Sequence, residues 1–433
     1  MGLTESATTR AWVLHPDIPS DDSRREPRFA LDEAVSLAHA LPGLEVRGSD
    51  VIRLARPHPG KLFGKGKIEE LHALVEREEI GLILIDGPVT PVQQRNLEKE
   101  LGCKLLDRTG LILEIFSDRA ATREGVLQVD MAALSYQRTR LVRAWTHLER
   151  QRGGLGFVGG PGETQIEADR RAIDDQLVRL RRQLDKVVKT RGLHRAARAK
   201  VPFPIVALVG YTNAGKSTLF NRLTGAEVMA KDMLFATLDP TMRRIALPGA
   251  VAGTVARSGP EIILSDTVGF ISDLPTELVA AFRATLEEVT AANLIVHVRD
   301  ISHPETEEQA EDVRAILAGL GVTQDVPQIE VWNKIDRLSD EDLDIARNRA
   351  ERADNVLLLS AVTGAGLESF VEGVRTGIAG VTTQAEITLP FSQGRKRAWL
   401  FDKGLVEAET QGEDGHTLTV RWNAQQEAQF NAL

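Results

Sequence analysis

The chain has 433 residues, of which 42% are hydrophobic, 27% are charged and one is a cysteine, Cys103, and its formal net charge is −9. The length predicts about three domains, the single cysteine excludes an internal disulfide and favours a cytoplasmic protein, and the lack of an apolar run of about 18 residues argues against a membrane span. The acidic balance argues against a general affinity for nucleic acids, and because no feature demands a dimer we expect a monomer.

Residues 1–117 are predicted to form a small α/β domain, because helical and strand patterns alternate along them. Residues 17–30 are polar, contain two prolines and are expected to form an insertion. The stretch GKLFGKGK at 60–67 is either a turn before a helix or a second phosphate site, although Ile68 stands where a P-loop has serine or threonine. Helices are expected at 32–41, 67–79 and 90–102, and strands at 81–87 and 110–116.

Residues 118–200 are predicted to form an antiparallel helical hairpin, because apolar residues recur at three- and four-residue steps along 122–151 and 165–191. Thr164 and Glu167 match a capping box, which predicts the start of the second helix, and Gly192 predicts its end. The connection contains GGLGFVGGPG at 153–162. It exceeds the 2–8 residues usual between paired helices, and an overlong loop is more often functional.

The hairpin is basic, since residues 138–200 carry 16 Lys+Arg and 7 Asp+Glu. The rest of the chain is therefore strongly acidic. A localised basic element on an acidic body indicates a specific nucleic-acid footprint. The alternative to a nucleic-acid site is a solvated loop on a hairpin whose charged side chains only form a solvent-exposed face.

Residues 201–380 are predicted to form an α/β domain with a doubly wound, mostly parallel sheet. Its strands are long apolar runs, which is typical of strands buried on both faces of such a sheet. These runs are PIVALVG, EIILSDTVG, NLIVHVRD, QIEVWNKID and NVLLLSA. Residues 381–433 are predicted to form a small C-terminal domain with strands at 386–391 and 416–423 and no chemical motif.

A phosphate-binding loop is predicted at 210–217, where GYTNAGKS follows one apolar strand and precedes a helical pattern. Glycines let backbone amides close around phosphates, Lys216 can reach the β- and γ-phosphates, and Ser217 can bind Mg²⁺. The residues predicted to hold the phosphates are Gly210, Tyr211, Thr212, Asn213, Ala214, Gly215, Lys216, Ser217 and Thr218.

Two further segments are predicted to sense the γ-phosphate. In DTVGF at 266–270, Asp266 ends a strand where it can hold Mg²⁺, and the Gly269 amide can meet the γ-phosphate. In LFATLDPT at 234–241, Phe235 is expected near the nucleotide and Thr237 is the expected switch threonine, with Thr241 as the competitor. The predicted metal ligands are Ser217, Thr237 and Asp266, and the predicted catalytic residues are Lys216, Thr237 and Gly269.

Guanine selection is predicted from NKID at 333–336 and SAVTG at 360–364. A carboxylate at Asp336 can accept from guanine N1–H and the N2 amino group, which adenine does not offer together. The expected base contacts are Asn333, Lys334, Asp336, Ser360 and Ala361. Four motifs in this order, each at the end of an apolar strand, predict a P-loop GTPase domain that uses GTP/GDP and Mg²⁺.

Phe270 stands where many small GTPases have the glutamine that orients the attacking water. Because a phenyl ring cannot accept or position a proton, either another residue or a partner completes the site, or the intrinsic reaction is slow. We expect a GTPase that a partner stimulates. The alternative is that Phe270 only packs the loop, which is compatible with that expectation.

The whole arrangement resembles the HflX family of ribosome-associated GTPases. Beside the GTPase motifs, the resemblance depends on GKLFGKGKIEEL (60–71), DRTGLILEIFSDRAATREGVLQVDMAAL (107–134), GGLGFVGGPGETQIEADRR (153–171) and LFATLDPTMRR (234–244). It implies an N-terminal HflX domain, a helical linker, a GTPase domain and a C-terminal domain. It also implies GTP-dependent binding to the large ribosomal subunit and a role in splitting or rescuing stalled ribosomes under stress.

In that family the glycine-rich loop is thought to probe the peptidyl-transferase region. The tip of this loop has no basic residue, so contacts with ribosomal RNA are expected instead from its base, at Arg150, Arg152, Arg170 and Arg171. The alternative function is a regulatory RNA- or ribosome-binding protein in which GTP is a binding signal and hydrolysis is incidental.

Overall fold

The computed structural model describes residues 8–19, 25–151, 161–198, 203–225, 235, 241–247, 261–272, 289–322, 326–379, 383–412, 415–422 and 424–431. Within these ranges the chain forms three β-sheets and a pair of long helices. No helix in this part of the chain is long and apolar enough to cross a membrane.

The first sheet is parallel and has the strand order β2-β1-β3-β4. Its strands are β1 (Thr9–Asp17), β2 (Leu44–Arg53), β3 (Leu82–Ile85) and β4 (Lys104–Asp107). Its helices are α1 (Pro27–Ala40), α2 (Lys65–Glu78), α3 (Pro91–Leu101) and α4 (Arg108–Arg119). Helix α3 shows how the sequence sets such bounds, since Thr90 and Gln93 form a capping box and Gly102 ends the helix at φ +70°.

Two expectations for this domain are wrong. The predicted strand at 110–116 lies inside α4, because Asp107 caps that helix by accepting from the Gly110 amide and most of the apolar run is buried. A short, buried apolar run does not distinguish a strand from a helix. The predicted insertion at 17–30 is also shorter than expected, since Asp17 ends β1 and Pro27 begins α1. Of the stretch at 60–67, residues 60–64 form a turn and 65–67 begin α2.

The predicted hairpin consists of α5 (Arg123–Gln151) and α6 (Pro161–Arg198). An ion pair between Arg138 and Asp174 (2.7 Å) joins them. These two residues stand equally far from the connection, as an antiparallel pair requires. Helix α6 begins at Pro161 rather than Thr164, because proline favours a first helical position, and it continues through Gly192, since a glycine inside a helix only weakens it.

The second sheet has six strands in the order β10-β9-β8-β5-β7-β6. All neighbours are parallel except β6, which runs antiparallel to β7 and was not predicted. The strands are β5 (Ile205–Gly210), β6 (Thr241–Ala246), β7 (Glu261–Asp266), β8 (Leu294–Asp300), β9 (Gln328–Asn333) and β10 (Val356–Leu358). The helices are α7 (Lys216–Thr224), α8 (Thr306–Gly319), α9 (Asp340–Glu351) and α10 (Leu367–Ala379), with a 3₁₀ turn at Ile335–Arg337.

The third sheet is antiparallel and has the order β11-β13-β12. It contains β11 (Thr383–Pro390), β12 (Val406–Gln411) and β13 (Gly415–Trp422), with a 3₁₀ turn at Phe391–Gln393 and helices α11 (Gly394–Asp402) and α12 (Ala424–Asn431). Its core is separate from the others and includes Leu400, Leu418 and Trp422.

One hydrophobic cluster joins the first and second sheets. Phe116 of α4 is fully buried and meets the Phe235 ring edge-on, with the ring centroids 4.6 Å apart. Val268 and Phe270, which follow β7, belong to the same cluster. The first domain therefore packs directly on the loops at one edge of the second sheet.

Phe116→Ala is expected to lower the free energy of unfolding by about 3–5 kcal/mol, because the cavity lies in a close-packed interface. Phe401→Ala is the matched control, since that ring is 46% exposed, and its cost is expected to be below about 1 kcal/mol. Urea unfolding followed by tryptophan fluorescence measures both changes. Equal costs for the two variants would contradict the packing described.

Candidate functional site

Four of the predicted motifs meet at the carboxyl edge of the second sheet. The loop 210–217 joins β5 to α7, residues 266–270 end β7, residues 333–336 end β9 and residues 360–361 follow β10. Ligands of doubly wound sheets bind at this edge. The parallel order of the strands therefore brings together segments that are far apart in the sequence.

Two glycines allow the loop 210–217 to close. Gly210 has φ +153°, and a Cβ there would lie 2.1 Å from the Val298 carbonyl oxygen. Gly215 has φ +95°, and a Cβ there would lie 2.2 Å from Asn333 Nδ2. Asn213 also lies in the left-handed region, at φ +57°. A loop of this kind turns successive amides inward and forms a concave anion site.

Lys216 is buried at the centre of this loop. Its Nζ donates to the carbonyl oxygens of Gly210 (3.0 Å) and Tyr211 (2.7 Å). Burial lowers the pKa of Lys216 to about 8, while the charge of Asp266 opposes that shift. A Cβ on Gly269 would lie 3.1 Å from Lys216 Nζ, so the loop after β7 passes beside the ammonium group. An anion in the loop favours the charged form of this lysine.

Ser217 and Asp266 form a pair of oxygen donors. The Ser217 hydroxyl donates to Asp266 Oδ2 over 2.8 Å, and Asp266 is fully buried. A hydroxyl beside a carboxylate fits Mg²⁺, which prefers oxygen ligands and is bound by few protein groups. Thr237, the third predicted ligand, lies outside the described residues. Its competitor Thr241 begins β6 and pairs with Asp266 across the sheet.

Asn333 joins the phosphate loop to the residues after β10. Its Nδ2 donates to the Ala214 carbonyl (2.8 Å), and its Oδ1 accepts from the Ala361 amide (2.9 Å). Asp336 Oδ1 accepts from the Ser360 hydroxyl (2.5 Å), and the aspartate is exposed. Lys334 has φ +66°, and its ammonium group pairs with Asp300 (2.7 Å). The predicted base-contacting residues therefore lie together beside the phosphate loop.

The remaining predicted residues have mainly packing contacts. Phe235 is buried, and its carbonyl accepts from Arg119 (2.9 Å). Thr212 donates its amide to the Phe270 carbonyl (2.7 Å), and the Phe270 side chain is only 3% exposed. Thr218 lies in the first turn of α7. Phe270 is thus buried in the cluster that joins the two sheets, and its ring carries no group that orients water.

Comparison with known proteins accounts for nearly the whole chain. Residues 29–117 match the family model described as "GTP-binding GTPase N-terminal", and residues 119–198 match "GTP-binding GTPase Middle Region". Residues 205–334 match "50S ribosome-binding GTPase", and residues 345–432 match "HflX C-terminal domain". A GTPase HflX of Magnetococcus marinus is 48% identical over 96% of this chain and 93% of its own length. The chain belongs to the HflX family of GTPases.

Two more relatives agree with this assignment. The GTPase HflX of Escherichia coli is 46% identical over 84% of this chain and 83% of its own length. A "Putative GTP-binding protein 6" of Xenopus laevis is 34% identical over 95% of this chain and 77% of its own length. As a member of the HflX family the chain is a GTP-hydrolysing enzyme with a P-loop GTPase domain.

The HflX phosphate loop has a contact with the first domain that the sequence did not predict. The Tyr211 hydroxyl donates to Glu33 of α1 (2.5 Å) and accepts from the Ser272 amide (2.9 Å). Arg108 of α4 donates to Glu33, to Asp86 (2.6 Å) and to the Ser272 carbonyl (3.1 Å). One buried network therefore joins the phosphate loop, the segment after β7 and the first domain.

The charges in this network depend on Arg108. Burial alone would raise the pKa of Glu33 and of Asp86, but Arg108 holds both pKa values below their usual range. Arg25 also pairs with Glu33 (3.1 Å) and with Glu305 (2.5 Å). Buried charges of this kind are tolerated only when they are paired.

Arg108→Ala is expected to lower the free energy of unfolding by about 3–5 kcal/mol, because Glu33 and Asp86 lose a buried partner. Arg95→Ala is the control, since Arg95 is exposed on α3, and its effect is expected to stay within about 0.5 kcal/mol. Urea unfolding at pH 7 measures both variants.

The pH dependence provides a second readout of the same network. Both carboxylates have folded-state pKa values below their ordinary values of 4.5 and 3.8, so their stabilisation is present above those values and is lost as pH falls through the folded ones. Arg108→Ala should flatten this acid loss. An unchanged acid profile would show that Arg108 does not set these pKa values.

Proposed function

We propose that the chain binds GTP with Mg²⁺ at the carboxyl edge of the second sheet and hydrolyses it in response to the large ribosomal subunit. The observation that carries the proposal is that the Asn333 side chain hydrogen-bonds both the phosphate loop, at Ala214, and the segment after β10, at Ala361. The matches to the HflX family and to a ribosome-binding GTPase model support it.

In this proposal each end of the site has a defined role. Amides of the loop 210–217 and Lys216 hold the phosphates, and the Gly269 amide meets the γ-phosphate. Ser217, Asp266 and Thr237 would hold Mg²⁺, and the bound ion would neutralise charge on the phosphate oxygens. Thr237 also senses the γ-phosphate. Catalysis is therefore positioning and electrostatic stabilisation rather than covalent chemistry.

The base end selects guanine. Asp336 accepts from guanine N1–H and the N2 amino group. The Ala361 amide, which donates to Asn333 Oδ1 (2.9 Å), shares its hydrogen with O6 in a three-centre bond, and Asn333 and Ser360 brace both segments. Asp336 is exposed and hydrogen-bonded only to Ser360 among the described residues, so its second carboxylate oxygen is available to a base. An adenine would leave this carboxylate without two donors.

The ribosome completes the hydrolytic site. Phe270 cannot orient water, and its ring is buried against the first domain. Either another residue or a group from a partner must align the nucleophile, and we propose that a group of the large subunit does so. The same reasoning favours a role in splitting or rescuing stalled ribosomes, since GTP loss would then follow subunit engagement and release the switch segments.

Contact with ribosomal RNA is proposed at the base of the hairpin tip. Arg170 and Arg171 are exposed on α6, and each is within reach of an acid one turn away, at 3.9 Å from Asp174 and 3.1 Å from Glu167. Exposed pairs of this kind are weak, so a phosphate can replace the acid. Arg150 and Arg152 are proposed to act with them; the Arg150 side chain and the whole of Arg152 lie outside what the structure describes.

The four-part division at 1–117, 118–200, 201–380 and 381–433 is part of this proposal, as is a monomer in the cytoplasm. The described loops of the site all come from one chain, so a second copy is not needed to build it.

Burial raises the pKa of Cys103 to about 11, so its thiol stays protonated and inert in a reducing compartment.

The first test is GTP hydrolysis by the pure protein with and without large ribosomal subunits, at two salt concentrations. We expect a slow basal rate that subunits raise strongly. Arg170→Ala with Arg171→Ala should weaken subunit binding and reduce the slope of log affinity against log salt by about 2. The control pair is Arg347→Ala with Arg352→Ala, two exposed arginines in and just after α9. Absence of stimulation would refute the ribosome as activator.

The base site is tested separately by Asp336→Asn. We expect GDP affinity to fall at least about 100-fold, because two charge-assisted hydrogen bonds are lost, and affinity for xanthosine diphosphate to rise, since an amide can donate to its C2 carbonyl. Displacement of a fluorescent nucleotide measures both. Asp340→Asn, an exposed change at the start of α9, is the control and should alter neither affinity.

A further inference from the structure

The loop after β10, residues 360–365, holds much of its own backbone by internal bonds. The Ser360 hydroxyl accepts from the Thr363 amide (3.1 Å), the Gly364 amide donates to the Ser360 carbonyl (2.8 Å), and the Ser360 amide donates to the Ala365 carbonyl (2.9 Å). These bonds leave three successive carbonyls, at 361–363, for an outside donor. The Val362 side chain is 69% exposed, so apolar packing does not fix this stretch.

Arg222, in the last turn of α7, supplies all three bonds. Its Nη1 donates to the carbonyls of Ala361 (3.2 Å) and Val362 (2.7 Å), and its Nη2 donates to the Thr363 carbonyl (3.0 Å). A guanidinium is planar and presents its donors in a fixed fork. Three carbonyls bound by one such group are held at set positions relative to α7.

The loop sequence leaves room for this group. Gly364 has φ +88°, and a Cβ there would lie 2.4 Å from Arg222 Nη2. Any other residue would strain the backbone and displace the guanidinium. The glycine of the SAVTG stretch is therefore required for the contact with Arg222.

We infer that Arg222 is a positioning residue for guanine recognition, an inference that rests on the proposed base site. Ala361 is held on both sides, its amide by Asn333 Oδ1 (2.9 Å) and its carbonyl by Arg222. Lys216 begins α7 and Arg222 lies near its end, so one nine-residue helix fixes the spacing between the phosphate and base ends of the nucleotide. Removing Arg222 leaves the carbonyls of 361–363 without this donor, so the Ala361 amide is held less firmly and its hydrogen bond to guanine O6 is weakened.

The test compares dissociation constants for GDP, 6-thio-GDP and IDP. In 6-thio-GDP sulfur, a weaker acceptor, replaces O6, whereas IDP lacks the N2 amino group read by Asp336. The unchanged chain should prefer GDP over 6-thio-GDP by about 5-fold, the value of one neutral hydrogen bond. In Arg222→Ala that preference should fall to within about twofold, while the preference for GDP over IDP stays as it was.

Two variants complete the design. Arg222→Lys keeps the positive charge but lacks the planar set of donors, so its preference for GDP over 6-thio-GDP should be intermediate. If Arg222→Ala does not fold, the Arg222→Lys ratio tests the inference. Arg375→Ala removes an arginine that pairs locally with Glu372 on α10 and should leave every ratio unchanged. Arg222 variants that retain the full preference for GDP over 6-thio-GDP, or lose both preferences together, overturn the inference. An unchanged chain that does not prefer GDP over IDP shows instead that the base site is wrong.

Discussion

The buried guanidinium of Arg108 is the contact on which the arrangement of the molecule depends. It lies directly after β4, and its two terminal nitrogens donate to Glu33, Asp86 and the Ser272 carbonyl. Because a buried charge must be paired, the first domain is fixed to the segment after β7. That segment begins with Asp266, so the placement of the first domain and the shape of the nucleotide site are set by one network.

The nucleotide site itself depends on amide chemistry more than on charge. Asn333 bonds to backbone on both sides, and Gly210 and Gly215 remove the side-chain atoms that would keep the loops apart. Lys216 satisfies its ammonium with two loop carbonyls and can exchange them for phosphate oxygens. These bonds hold the described loops of the site in fixed positions relative to one another.

The sequence predicted the second sheet well because its motifs combine a fixed loop chemistry with long apolar strands. The same approach failed at 110–116, where an apolar run buried on several sides is a helix, and at Thr164, where a match to a cap lies inside a longer helix. The contact between Tyr211 and Glu33 spans 178 residues. No local pattern encodes such a distant pair, because it depends on how two domains pack.

The Asp107 carboxylate gives the hairpin a mechanical property. It accepts from Tyr136 (2.5 Å) and Arg140 (2.9 Å) of α5, and so fastens that helix to the first domain. Beyond Arg140, α5 continues to Gln151 for about 16 Å at 1.5 Å per residue. The part of α5 near Asp107 therefore moves with the first domain. A rotation of the first domain about its contacts with the GTPase sheet would therefore move the Gln151 end of α5 through a larger distance than Arg140. A displacement too small to alter the packing at Phe116 would still shift that end of the helix measurably.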